Sequence, residues 1–139
     1  MTAVILQLQQ DALDRDVPVS DLLRKALVIA RKLALQEFQI WIENELKGYR
    51  NDQEAPDYRQ VSGDVRGWNP YRGWMPLIFE NPKAGESISR RKSTQSIAEL
   101  EHLTQENVDS NFLHMPYSQA TQRELSKGFG FDTQVSLFC

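Results

Sequence analysis

Apolar residues recur from 20 to 47 at steps of three and four: Leu22, Leu23, Ala26, Leu27, Ala30, Leu33, Ala34, Phe38, Trp41, Ile42 and Leu46. This spacing predicts one long amphipathic helix with a single buried stripe. Ser20 is the expected N-cap, and Gly48, which tolerates the left-handed conformation, is expected to stop the helix after Lys47. At 1.5 Å per residue the helix would be about 40 Å long, the spine of the fold. Val4, Ile5, Leu8, Ala12 and Leu13 predict a shorter helix over 2–15, capped by Thr2 and ended by Pro18. The short connection predicts that it packs back on the spine as an antiparallel hairpin.

After a polar loop from Asn51 to Asp57 the pattern changes. Val61, Val65, Trp68, Tyr71, Trp74, Leu77, Ile78 and Phe79 are interrupted by Gly63, Gly67, Gly73, Pro70 and Pro76. Aromatic and β-branched residues broken by turn formers predict short strands and a hairpin. Residues 80–94 are polar and read as an exposed loop. Two short helices are expected next, over 95–105 and 117–127, the second stopped by the Gly-Phe-Gly at 128–130. The last seven residues alternate as a strand, so the fold class expected is α+β: long helix, antiparallel helix partner, small antiparallel sheet, short C-terminal helices. A chain ending on a strand with no polar tail reads as the N-terminal part of a longer protein, with 1–139 forming one domain.

Composition narrows the chemistry. A single cysteine, Cys139, closes off an internal disulfide and a thiolate zinc site. No apolar run reaches the roughly 18 residues of a membrane span, and the first residues lack a signal-peptide pattern, so a cytoplasmic protein away from membranes is expected. Residues 47–92 hold nine basic and six acidic side chains, whereas 1–46 hold five and seven and 93–139 two and six. Only the middle third is electropositive, too little for the broad field of a dedicated nucleic-acid binder.

Three groups of residues carry candidate chemistry. Glu43 and Glu45 lie where the helix dipole disfavours negative charge, which calls for a cation such as Arg50 or Arg59. With Tyr49 and Tyr58 this gives a candidate pocket, Glu45, Tyr49, Tyr58 and Arg59, whose plainer reading is a clamp of loop to helix end. Trp68 and Trp74, with Tyr71 between them, alternate with Arg66 and Arg72 in a basic-aromatic patch suited to stacking bases. Spaced three apart, the three rings cannot share one face of a regular strand, so at least one is expected in the core. Arg90, Arg91 and Lys92 could add phosphate contacts or form a solvated face. Glu99, His102 and Glu106 share a helix face at metal-ligand spacing, a pattern that acid-rich helices also produce by chance. Phosphate-loop, dinucleotide and G-x-S-x-G motifs do not occur in the sequence, so neither cofactor nor metal is expected and no catalytic residue is assigned.

Trp41-Ile42, Glu45-Leu46, Gly48-Tyr49 and then Pro56-Asp57-Tyr58-Arg59 form a W-I-x-x-E-L-x-G-Y…P-x-Y-R signature. It resembles AbiTii, a family associated with bacterial abortive infection and phage exclusion. Further on, the resemblance extends to the Gly-rich strand region and to Ile97, Leu100 and Glu101. It implies a setting in phage defence and brings no established reaction with it. The leading expectation is an interaction or assembly module that associates with itself or with a partner protein or domain of a defence system. Two alternatives are a toxic effector enzyme, a nuclease or nucleotide-acting enzyme using the Glu45 pocket, and a nucleic-acid sensor using the basic-aromatic patch.

Overall fold

In the computed structural model, which describes residues 2–110, 112–129 and 133–139, the order is mixed α and β from end to end. The packing divides into two units, Met1–Ala55 with Thr94–Glu106, and Pro56–Ser93 with Asn107–Cys139.

The first unit is helical: α1 (Thr2–Leu13), α2 (Val19–Lys32), α3 (Gln36–Lys47) and α5 (Ile97–Glu106). The spine expected over 20–47 is therefore two helices. Their break follows from Ala34, which stands in the left-handed region at φ 55°. Around it the Leu35 N–H donates to the Ala30 carbonyl at 2.9 Å and the Ala34 N–H to Arg31 at 3.3 Å. These are the paired bonds that close a helix around a left-handed residue, here alanine where glycine is usual. α3 then folds back along α2, burying Ala26, Ala30 and Ile42 with Leu23, Leu27 and Leu46 beside them. Leu8 of α1 joins this core, and Asp11 is bonded to Lys25 across the α1–α2 hairpin, as expected of the antiparallel partner. Ser20 is not the N-cap; Pro18 is, and Ser20 lies buried in the first turn. Its N–H and hydroxyl both donate to the Glu101 carboxylate of α5, each at 2.8 Å.

The second unit holds the sheets. β2 (Asp64–Asn69), β3 (Gly73–Pro76), β5 (His114–Pro116) and β6 (Val135–Phe138) form an antiparallel sheet in the order β3-β2-β6-β5. β1 (Gln60–Ser62) pairs with β4 (Arg90–Lys92) in a second, two-stranded sheet. The β2–β3 hairpin is built as its residues require: Asn69 Oδ1 accepts the N–H groups of Tyr71 and Arg72, Pro70 fixes the turn, and Gly73 takes φ 80°. The final strand lies inside the sheet, with Val135 and Leu137 fully buried. They pack with Val65 and Met115 under Ile88 of α4 (Pro82–Ile88) and Leu125 of α6 (Gln119–Phe129).

Residues 80–94, expected as loop, contain α4 and β4 instead. Asn81 caps α4 by accepting the Lys83 N–H at 3.0 Å, with Pro82 at the first helical position. α6 runs past Gly128 to Phe129, so Gly128 is no stop; Gly130 lies outside the described residues. Among the described residues, no helix is long and apolar enough to cross a membrane.

Candidate functional site: a motif corner and an aromatic sheet face

At the end of α3 the sequence signature becomes a packed corner. Gly48 has φ 89° and ψ 171°, a backbone region essentially restricted to glycine. A Cβ there would stand 2.8 Å from the Thr94 carbonyl oxygen. This close approach lets the Tyr49 N–H donate to that same carbonyl at 2.8 Å, tying the helix end to the segment that enters α5. Glu45, only 5% exposed, accepts the Tyr49 hydroxyl at 2.7 Å. Glu43 finds its cation within the helix hairpin, Arg31 at 3.1 Å, and not from the loop arginines named as candidates. Hydrogen bonds from Gln39 and then Arg31 hold its carboxyl below the usual range.

In the second unit, Tyr58 and Arg59 lie in a 3-10 turn over Asp57–Arg59. Tyr58 is exposed, while Arg59 is buried, with Nη1 donating to the Ser93 carbonyl at 3.3 Å and its own carbonyl accepting the Ser93 N–H at 2.9 Å. Of the candidate pocket residues, Glu45 is thus bonded to Tyr49 within the helical unit, and Tyr58 adjoins Arg59 in the 3-10 turn of the other.

The basic-aromatic patch assembles in part. Trp68 and Trp74 are direct cross-strand partners, with ring centroids 5.5 Å apart in an edge-to-face pair. Tyr71 is exposed at the hairpin tip and Trp74 is half-buried, so none of the three rings is in the core, contrary to expectation. The reason is that the spacing of three spans a hairpin and not a single strand. Around Trp74 the sheet adds residues that the sequence did not single out: His114 at 4.8 Å and Phe138 at 5.3 Å, both edge-on. His114 stacks on Phe138 at 4.8 Å. Arg66 lays its guanidinium over Phe138 at 4.6 Å and over Phe112 at 5.1 Å. Burial lowers the pKa of His114, which favours the neutral ring.

Arg90, Arg91 and Lys92 belong to the other sheet, and each has a partner. Arg90 pairs with Glu86 at 2.9 Å, and Lys92 with Asp57 at 2.9 Å. Arg91 donates to the Pro116 carbonyl at 3.0 Å and lies over the Tyr117 ring. The bond from Lys92 holds Asp57 below the usual carboxylate range. His102 meets Glu106 at 3.1 Å, and among the described residues no three His, Cys, Asp or Glu side chains converge as a metal site. Burial pushes up the Cys139 thiol, the reverse of what an activated nucleophile needs.

The signature corner is mirrored in the comparison with known families: a model described as AbiTii matches residues 3–137. The chain belongs to the AbiTii family. AbiTii is an abortive-infection-associated domain, and the match takes in nearly the whole chain, residues of both units included. No curated protein and no solved structure matches the chain significantly. Within this AbiTii chain, Ile42, Glu45, Leu46, Gly48 and Tyr49 have structural roles at the corner.

Proposed function

We propose that this AbiTii chain is an assembly module of an abortive-infection system and associates through the outer side of α3. The observation that carries this reading is a set of exposed large apolar side chains, Leu33 and Leu35 in the turn before α3 and Phe38 at 43%, Ile40 at 57% and Trp41 on it. Phe38 and Trp41 stack at 5.7 Å with planes 11° apart, giving a flat, ordered apolar surface. Contiguous apolar patches of this kind mark association surfaces more often than scattered single residues do. Aromatic residues are also the side chains that most often anchor such contacts.

The effector reading finds less support, because Glu45 and Arg59 are buried and hydrogen-bonded at structural junctions. Sedimentation velocity over a concentration series tests the proposal. Self-association is expected, and Phe38→Asp with Ile40→Asp should abolish it at unchanged helix content. A chain that stays monomeric throughout the concentration series would end this reading.

A further inference from the structure

The four-stranded sheet has two unlike faces. Val65, Met115, Val135 and Leu137 point into the core with Ile88 and Leu125. The opposite face carries Asp64, Arg66, Trp68, Trp74, His114 and Phe138, with Phe112 beside Arg66 and Arg66 Nη2 3.5 Å from Asp64 at the end of the strand. Trp68 is 44% exposed and Phe112 42%.

Two observations point to a ligand for that face. First, Arg66 Nε and His114 Nε2 are buried and have no hydrogen-bond partner among the described residues. Buried polar atoms are nearly always satisfied, so two orphans on one face are unusual. Second, the face combines stacked aromatic rings with a planar guanidinium, both of which offer flat surfaces on which an unstacked base can lie. Charge agrees: this unit has nine basic and seven acidic residues, whereas the helical unit has seven and twelve. Arg72 is exposed in the hairpin turn next to this face.

We propose that this face binds single-stranded nucleic acid, with an unpaired base stacked on Trp68 beside the Arg66 guanidinium, and phosphate met by Arg72. Stacking on an aromatic platform is tolerant of sequence because every base has a π-face. A paired base is already stacked on its neighbours and cannot lie flat on the sheet, so a duplex is disfavoured. The site is independent of the apolar side of α3 and does not rest on the assembly reading.

The test is fluorescence anisotropy on the 139-residue chain with labelled oligothymidylate, oligouridylate and a duplex, each of about twenty nucleotides. Binding of either single strand in preference to the duplex is expected. Its affinity should fall about 2.6-fold between roughly 50 and 200 mM salt, the slope for one phosphate contact. Trp68→Ala should weaken binding about tenfold and Trp68→Phe should restore most of it. Arg66→Lys, which keeps the charge and loses the planar fork, should also weaken it, whereas Phe38→Asp on α3 should not. Duplex binding of equal strength, a Trp68→Ala variant that binds as well as the parent, or no binding up to about 10⁻⁴ M would overturn the proposal.

Discussion

At φ 55° Ala34 occupies a conformation that costs an L-residue about 1–2 kcal/mol, less the roughly 0.5–1 kcal/mol by which glycine's greater chain entropy offsets the gain from replacing it. Ala34→Gly should therefore raise the unfolding free energy by about 0.5–1 kcal/mol in urea titration, and Ala34→Val should lower it by at least about 1 kcal/mol. Gly48 is the opposite case. Gly48→Ala forces a Cβ to 2.8 Å from the Thr94 oxygen in a glycine-only region, and a loss of about 2 kcal/mol or more is expected in the same titration. The Gly48 stop was legible in the sequence because glycine advertises it. The Ala34 stop was not, because alanine is the best helix former and its left-handed conformation is imposed by the packing of Ile42 on Ala26 and Ala30.

His114 connects residue and solution. Burial lowers its folded pKa, so the folded chain resists the proton that the unfolded chain accepts. Its contribution is intact above the unfolded value of about 6.5 and is lost as pH falls below it toward the folded value. The carboxylates act lower on the scale. Asp11, held down first by its bond from Lys25, and Asp57, by that from Lys92, contribute above the unfolded value near 4 and lose this as pH falls through their depressed folded values. Urea midpoints measured from pH 7 to 3 should show both stages. His114→Phe should remove the upper one without destabilising the chain at pH 7, since it also removes an unpartnered buried nitrogen.

Among the elements, α2 shows how a helix end can be completed from elsewhere in the sequence. Its first turn has no side-chain cap of its own, and the Glu101 carboxylate of α5 supplies two acceptors to Ser20 at a terminus whose dipole favours negative charge. Glu101→Ala should cost about 1–2 kcal/mol by urea titration, and Glu101→Gln, which keeps one acceptor, less. A partner 81 positions away has no local signal, so Ser20 read as an N-cap. Elements with strong local patterns were legible: α1, the β2–β3 hairpin with its Asn-Pro turn, α5, α6 and the closing strand. β4 and β5 were not, because three-residue strands such as Arg-Arg-Lys and His-Met-Pro have no period and exist only through their pairing. Without β5 there was no way to place His114 beside Trp74, and so the aromatic face was legible only as its hairpin half.

For the whole molecule, the family signature marks a corner where Gly48 and the Glu45–Tyr49 pair shape a helix end. The α+β class and the abortive-infection family were both legible, the class from periodicity and the family from Trp41 through Arg59. The role within that setting is tested most directly by survival of phage-infected bacteria that carry the encoding gene, its Phe38→Asp/Ile40→Asp variant or its Glu45→Gln variant. An assembly module predicts that the α3 variant loses protection at equal protein level and that Glu45→Gln retains it wherever the protein folds. Full protection from the α3 variant, with protection abolished by Glu45→Gln at equal protein level, would contradict the account.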